Sequence, residues 1–110
     1  MYVRVARFEG LDLDHIDEQV AERKRQMEAA RSGNLPDGAP PQVRTLAESV
    51  TRVMELVDRA NGTGLTMVFT ETEDDMRRAD AALNEMSPEP SEGSRASVDT
   101  FEVALQVDMS

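Results

Sequence analysis

The stretch from Thr51 to Met86 constrains the fold most, because two β-type runs, a tight reversal and a capped helix follow one another without a break. The runs are VTRVMELVDR and GLTMVFTE, joined by Ala60-Asn61-Gly62-Thr63. Val, Leu, Met and Phe fill both runs, and Asn-Gly tolerates the positive φ angles that a hairpin reversal needs. Thr72-Glu73-Asp74-Asp75 then opens a helix, Thr72 and Asp75 having the form of a capping box with Asp in place of the usual Glu. Met76, Ala79, Leu83 and Met86 form its apolar face, and Ser87-Pro88 stops it.

The remaining segments frame this unit. Tyr2–Glu9 carries Val3 and Val5 on one face and Tyr2, Ala6 and Phe8 on the other, the pattern of a strand covered on both sides. Beyond Gly10, Leu13, Ile16, Val20, Met27 and Ala30 fall on one helical stripe. Asp12 or Asp14 can cap that helix, Asp17 and Glu18 suit its positive end, Arg31 its last turn, and Gly33 a left-handed stop. Asn34–Gln42, with three prolines and one glycine, reads as a loop. Val43, Leu46, Ala47, Val50, Met54 and Val57 keep helical spacing, so Gln42–Arg59 admits one long helix. The β-branched run at Val50-Thr51-Arg52-Val53 and the turn that follows favour a short helix over Val43–Ser49 and a strand over Thr51–Arg59. Pro88–Ser94 is a polar loop. In the closing RASVDTFEVALQVDM, Phe101, Val103, Leu105 and Val107 alternate with Thr100, Glu102, Ala104 and Gln106 as in a strand.

The order is β-α-β-β-α-β, which predicts an α+β, ferredoxin-like domain over residues 1–110, two helices covering one face of a four-stranded antiparallel sheet. On the Leu65 strand, Leu65, Met67 and Phe69 face one way and Thr66, Val68 and Thr70 the other. Taking Val68 and Ala104 to the uncovered side, with one apolar set of the first strand, leaves that face too apolar for exposure. A second copy would cover it, so the expectation is a homodimer, a dimeric α/β barrel.

Twenty-two acidic residues against twelve basic ones give a net charge of −10. Such a surface repels phosphate backbones and anionic lipid, which argues against nucleic-acid and membrane partners. No cysteine is present, which excludes disulfides, thiolate metal sites and cysteine nucleophiles. No apolar run approaches the roughly 20 residues of a membrane span, and MYVRVARFEG alternates unlike a signal peptide, so a cytoplasmic location is expected. Seven methionines, three phenylalanines and no tryptophan describe an adaptable core or pocket lining.

Leu56-Val57-Asp58-Arg59, the Gly62–Gly64 turn and Phe69-Thr70-Glu71-Thr72-Glu73 together resemble the middle of dimeric α/β-barrel proteins of the antibiotic-biosynthesis-monooxygenase-like group. The resemblance extends over the chain through element order. It implies a homodimer with a small-molecule site between helices and sheet; members include cofactor-independent oxygenases, haem degraders and isomerases. Those oxygenases and haem degraders often use an Asn, a Trp and a His. Here Phe69 stands where a Trp often does, no His follows it, and Asn34, Asn61 and Asn84 lie outside the first strand. The departures argue against haem, and no cofactor is expected.

Two functions follow, the first from the residues and the second from what the resemblance implies. The first is non-catalytic binding of a small apolar or aromatic molecule, with Tyr2, Arg4, Met67 and Phe69 as the ligand-binding residues. The second is a cofactor-independent monooxygenase-like enzyme acting on a phenol or enol, with His15 as base and Arg7, or Arg4, holding the anion through its guanidinium fork. The plainer alternatives are a solvent-facing His15 and ion pairs of Arg4 or Arg7 with Glu55, Asp58 or Glu102 across the sheet or the dimer. Asp12, Asp14, Asp17 and Glu18 surround His15 but point around a helix start, so no metal site is expected.

Overall fold

The elements run β1 (Tyr2–Glu9), α1 (Ile16–Arg31), α2 (Pro41–Ser49), β2 (Arg52–Asp58), β3 (Thr63–Thr70), α3 (Glu73–Asn84) and β4 (Ser94–Glu102). This is a computed structural model, which describes residues 1–35, 37–86 and 93–110. The expected helix stop at Ser87-Pro88 and most of the loop after it lie outside the described residues. The strands form one antiparallel four-stranded sheet in the order β2-β3-β1-β4. The ambiguous segment resolves as a helix followed by a strand, with Pro41 at the helix start, where its missing N–H removes no hydrogen bond.

The hairpin between β2 and β3 turns differently from the Asn-Gly expectation. Within the turn Gly62 alone takes a positive φ, 65°, and among the described residues none other than glycine does. Asn61 is instead held by Asp58, whose carboxylate accepts from the Asn61 side chain at 2.7 Å and from its backbone N–H at 3.3 Å. Gly64 lacks a side chain for a separate reason: a Cβ there would lie 2.8 Å from the Leu56 carbonyl oxygen and 3.2 Å from Leu11.

Helix termini also depart in part. Thr72 caps α3, its hydroxyl accepting from the Asp75 N–H at 3.1 Å. Neither Asp12 nor Asp14 caps α1, whose N-cap residue is His15 with no side-chain capping bond. The Asp12 carboxylate closes the preceding turn instead, accepting from the Asp14 N–H at 3.1 Å. Gly33 ends the α1 region with φ 77° as expected.

The larger correction concerns the faces of the sheet. Directly paired residues on neighbouring strands share a face. Arg4 pairs with Val68 and Thr100, and its guanidinium reaches Asp80 on α3. Glu55, opposite Thr66, is bound by Arg23 of α1 at 2.9 and 2.8 Å. Val68, Thr66 and Thr70 therefore lie under the helices, where the core is built from Ala6, Phe8, Ile16, Val68, Met76, Ala79 and Ala82. Leu65, Met67 and Phe69 line the opposite face, the reverse of the expected arrangement. With them in register stand Val3 and Val5 of β1, Met54 and Leu56 of β2, and Phe101 of β4. None of the three helices covers this open face. On it Val3 is 7% exposed and Phe69 9%, the Arg52 guanidinium lying 5.9 Å from the Phe69 ring centre.

The last strand is shorter than its alternation suggested: β4 ends at Glu102, and 103–110 continue without regular secondary structure. The cap at α3 is the most local of these devices. Thr72→Ala is expected to lower the unfolding free energy by about 1 kcal/mol in urea denaturation, while Thr72→Ser stays near the parent value.

Candidate functional site

The first strand meets α3 near its start, at Arg4, in a small polar network. Arg4 is buried, and its Nε donates to Asp80 Oδ1 at 2.8 Å while a terminal nitrogen donates to Asn84 Oδ1 at 3.0 Å. The Asn84 amide in turn donates to Asp80 Oδ2 at 3.3 Å. Asp80 and Asn84 are four apart on α3, so helical geometry puts both over the same strand residue. Both carboxylate oxygens of Asp80 are thus engaged, and the arginine charge is neutralised where it is buried.

Beside this network a cleft of about 310 Å³ opens between α3 and the β1–β4 edge. Tyr2 and Met76 supply its apolar surface and Asp80, Thr100 and Glu102 its polar surface, and Phe101, whose register places it on the open face, borders it. Glu73 and Arg77 close one side as an ion pair of 3.0 Å, and Arg77 also bonds Asp74. Its volume sits at the lower end of the roughly 300–1,000 Å³ typical of small-ligand pockets. A second cleft of about 270 Å³ lies on the open face at the hairpin end, lined by Arg7, Leu56, Asp58 and Leu65 among others.

The expected site residues are not all brought together. Tyr2 lines the first cleft and Arg4 sits beneath it. Met67 and Phe69 lie side by side with their β2 neighbours on the other face of the sheet. Arg7 is exposed and borders the second cleft. Of the groups foreseen as ion-pair partners, Arg4 binds Asp80 on α3, Glu55 binds Arg23 on α1, and Asp58 holds the hairpin through Asn61. Asp80, Asn84 and Met76 were missed as a group. Their signal was the spacing 76, 80, 84, which places two polar side chains in line with a buried methionine.

His15 stands apart from both clefts, its side chain 63% exposed, with Nδ1 2.7 Å from the Asp12 carboxylate. The hydrogen bond to Asp12 and its charge raise the His15 pKa above the ordinary 6.5, and the same bond lowers that of Asp12. The arrangement is a solvent-facing histidine–carboxylate pair. Among the described residues, no group of three or more His, Asp or Glu side chains is placed to hold a metal ion. No helix there is long and apolar enough to cross a membrane.

Two outcomes follow. Asp80→Ala strands a buried guanidinium and is expected to cost about 3 kcal/mol of stability in chemical denaturation. Adding Arg4→Met to it recovers part of that loss, because the uncompensated charge goes too. For His15, a raised folded pKa means its pairing stabilises the fold at low pH and fades as pH rises through that value; the lowered Asp12 value means the contribution is also lost as pH falls through it. NMR titration is expected to give a His15 midpoint above 6.5, falling on Asp12→Asn substitution.

Comparison with models of known protein families and with curated proteins finds no match for this chain, so the reading of the site rests on its own residues.

Proposed function

We propose that the chain is a ferredoxin-like, homodimeric protein of the dimeric α/β-barrel kind. In this reading it holds a small apolar or aromatic molecule in the cleft beside Tyr2 and Met76 without transforming it. The single observation that carries the reading is the state of the polar groups at that cleft. Asp80 has both oxygens engaged, Arg4 is buried behind it, and Glu73 is paired with Arg77. Such groups orient a ligand through what they leave exposed, chiefly the Tyr2 hydroxyl and Thr100, but none is poised as a base or nucleophile. The apolar walls supply the driving force for a ring of modest size.

The sheet order β2-β3-β1-β4, with α1 and α3 on one side, supports the ferredoxin-like assignment. The dimer is supported by the open face, where eight apolar side chains from four strands lie in register without a covering layer. Met67 and Phe69 then serve association rather than ligand binding. The His15–Asp12 pair is the one observation that favours an enzyme, since a carboxylate-oriented histidine is the form a general base takes.

Para-cresol serves as a neutral phenolic probe. Titrated at millimolar concentration, it is expected to move the amide resonances of Tyr2, Met76 and Thr100, and Thr100→Trp is expected to block it by filling the cleft. Shifts confined to the open face, or absent altogether, would overturn the binding site. Oxygen uptake with para-cresol that disappears in His15→Ala would establish the enzyme instead. Sedimentation equilibrium is expected to show a dimer that Met67→Glu converts to monomer.

A further inference from the structure

Among the described residues, one charged group at the cleft beside α3 is left without a counter-charge. Of the acids that line it, Asp80 is bound by Arg4 at 2.8 Å and Glu73 by Arg77 at 3.0 Å. Glu102 is the third, and no hydrogen bond or ion pair within the described chain reaches its carboxylate. Register sets Glu102 opposite Tyr2 and Thr100 opposite Arg4, so Tyr2, Thr100 and Glu102 all stand on the helix side of the sheet. The Val103 N–H bonds the Met1 carbonyl oxygen at 2.9 Å, one step beyond the Tyr2–Glu102 pair, and holds the strand ends together at this point.

The cations around the cleft are already spent. Arg4 gives Nε to Asp80 and a terminal nitrogen to Asn84. Arg77 gives one terminal nitrogen to Glu73 and the other to Asp74. The start of α3 is likewise answered, by the Thr72 cap and by Glu73, Asp74 and Asp75 in the first turn. An anionic ligand would have to compete with these carboxylates, whereas a cationic one meets an unpaired acceptor at Glu102. The Thr100 hydroxyl, on the same side of β4, offers a second acceptor.

Spacing narrows the class further. Cross-strand neighbours such as Tyr2 and Glu102 have Cβ atoms about 5 Å apart. A ring lying against Tyr2 and Met76 therefore reaches the Glu102 carboxylate through a spacer of roughly two carbons, not through an amino group on the ring itself. We propose that the cleft is a site for an aromatic alkylamine in its protonated form, the ring held by Tyr2 and Met76 and the ammonium by Glu102. This rests on the small-molecule reading of the cleft given above and assigns the ligand its charge.

The test compares three probes that share a phenol ring and differ in the end group. They are tyramine, para-hydroxyphenethyl alcohol and para-hydroxyphenylacetate, each titrated into the full chain at neutral pH and low salt while the amide resonances of Tyr2, Met76 and Thr100 are followed. Tyramine is expected to bind about threefold or more tightly than the alcohol, as befits an exposed ion pair, and the acetate more weakly than either. Glu102→Gln is expected to bring tyramine to within about twofold of the alcohol and to leave the alcohol unchanged. Asp14→Asn removes the same charge beside His15, away from both clefts, and is expected to keep the preference, which separates Glu102 from the general attraction of an acidic chain. Circular dichroism checks that both variants keep the parent fold. If the amine and the alcohol bind equally to the parent, the alkylamine inference falls and the small-molecule site stands. A preference that survives Glu102→Gln overturns the role given to Glu102. If none of the three probes moves these resonances, the inference and the binding site fall together.

Discussion

The buried ion pair between Arg4 and Asp80 is the contact on which the rest of the structure turns. A guanidinium 3% exposed needs a counter-charge and hydrogen-bond acceptors within reach, because desolvating it alone is prohibitively costly. Only α3 supplies them, through Asp80 and Asn84 on successive turns. Once Arg4 faces α3, alternation commits every residue of β1, and register carries the choice to the other strands. Val68 goes inward with Arg4; Phe69, Met67 and Leu65 go outward with Val3 and Val5.

Both functional surfaces follow from that commitment. On the helix side the core is filled by small residues, Ala6, Ala79 and Ala82, which let α3 lie close over β1. Space remains where α3 begins, near Tyr2 and Thr100. There Thr70, fully buried, bonds the Thr72 carbonyl and fixes how the chain enters the helix. On the other side, the larger apolar residues are gathered without a helix to cover them. Charge is present on this face only around the apolar patch, as Arg52 beside Phe69, Asp99 opposite Val5, and Arg7 and Asp58 at the hairpin end.

The parts of the fold legible in the sequence are those set by short-range chemistry. The hairpin, the Thr72 cap, the short helix at Pro41–Ser49 and the strand after it all depend on residues within a turn or two of one another. What misled was symmetry of composition. β1 and β3 are apolar on both faces, so hydropathy alone could not say which set the helices cover, and the choice made from it was reversed. The candidate site suffered for the same reason: Tyr2 and Arg4 fall together, while Met67 and Phe69, on odd positions of β3, fall behind the sheet. His15 was legible as a carboxylate-paired histidine, but its distance from either cleft is a matter of how the turn at Asp12 closes.

By itself the sequence determined the element order, the antiparallel hairpin, the Thr72 cap and the exclusion of cysteine chemistry, because each rests on residue identity or local spacing. Tertiary structure alone decided which face of the sheet is covered and which carboxylate answers Arg4. Those outcomes depend on contacts such as Arg4 with Asp80, seventy-six residues apart. Such a pairing is selected by the cost of leaving a buried charge uncompensated, and no local pattern encodes it.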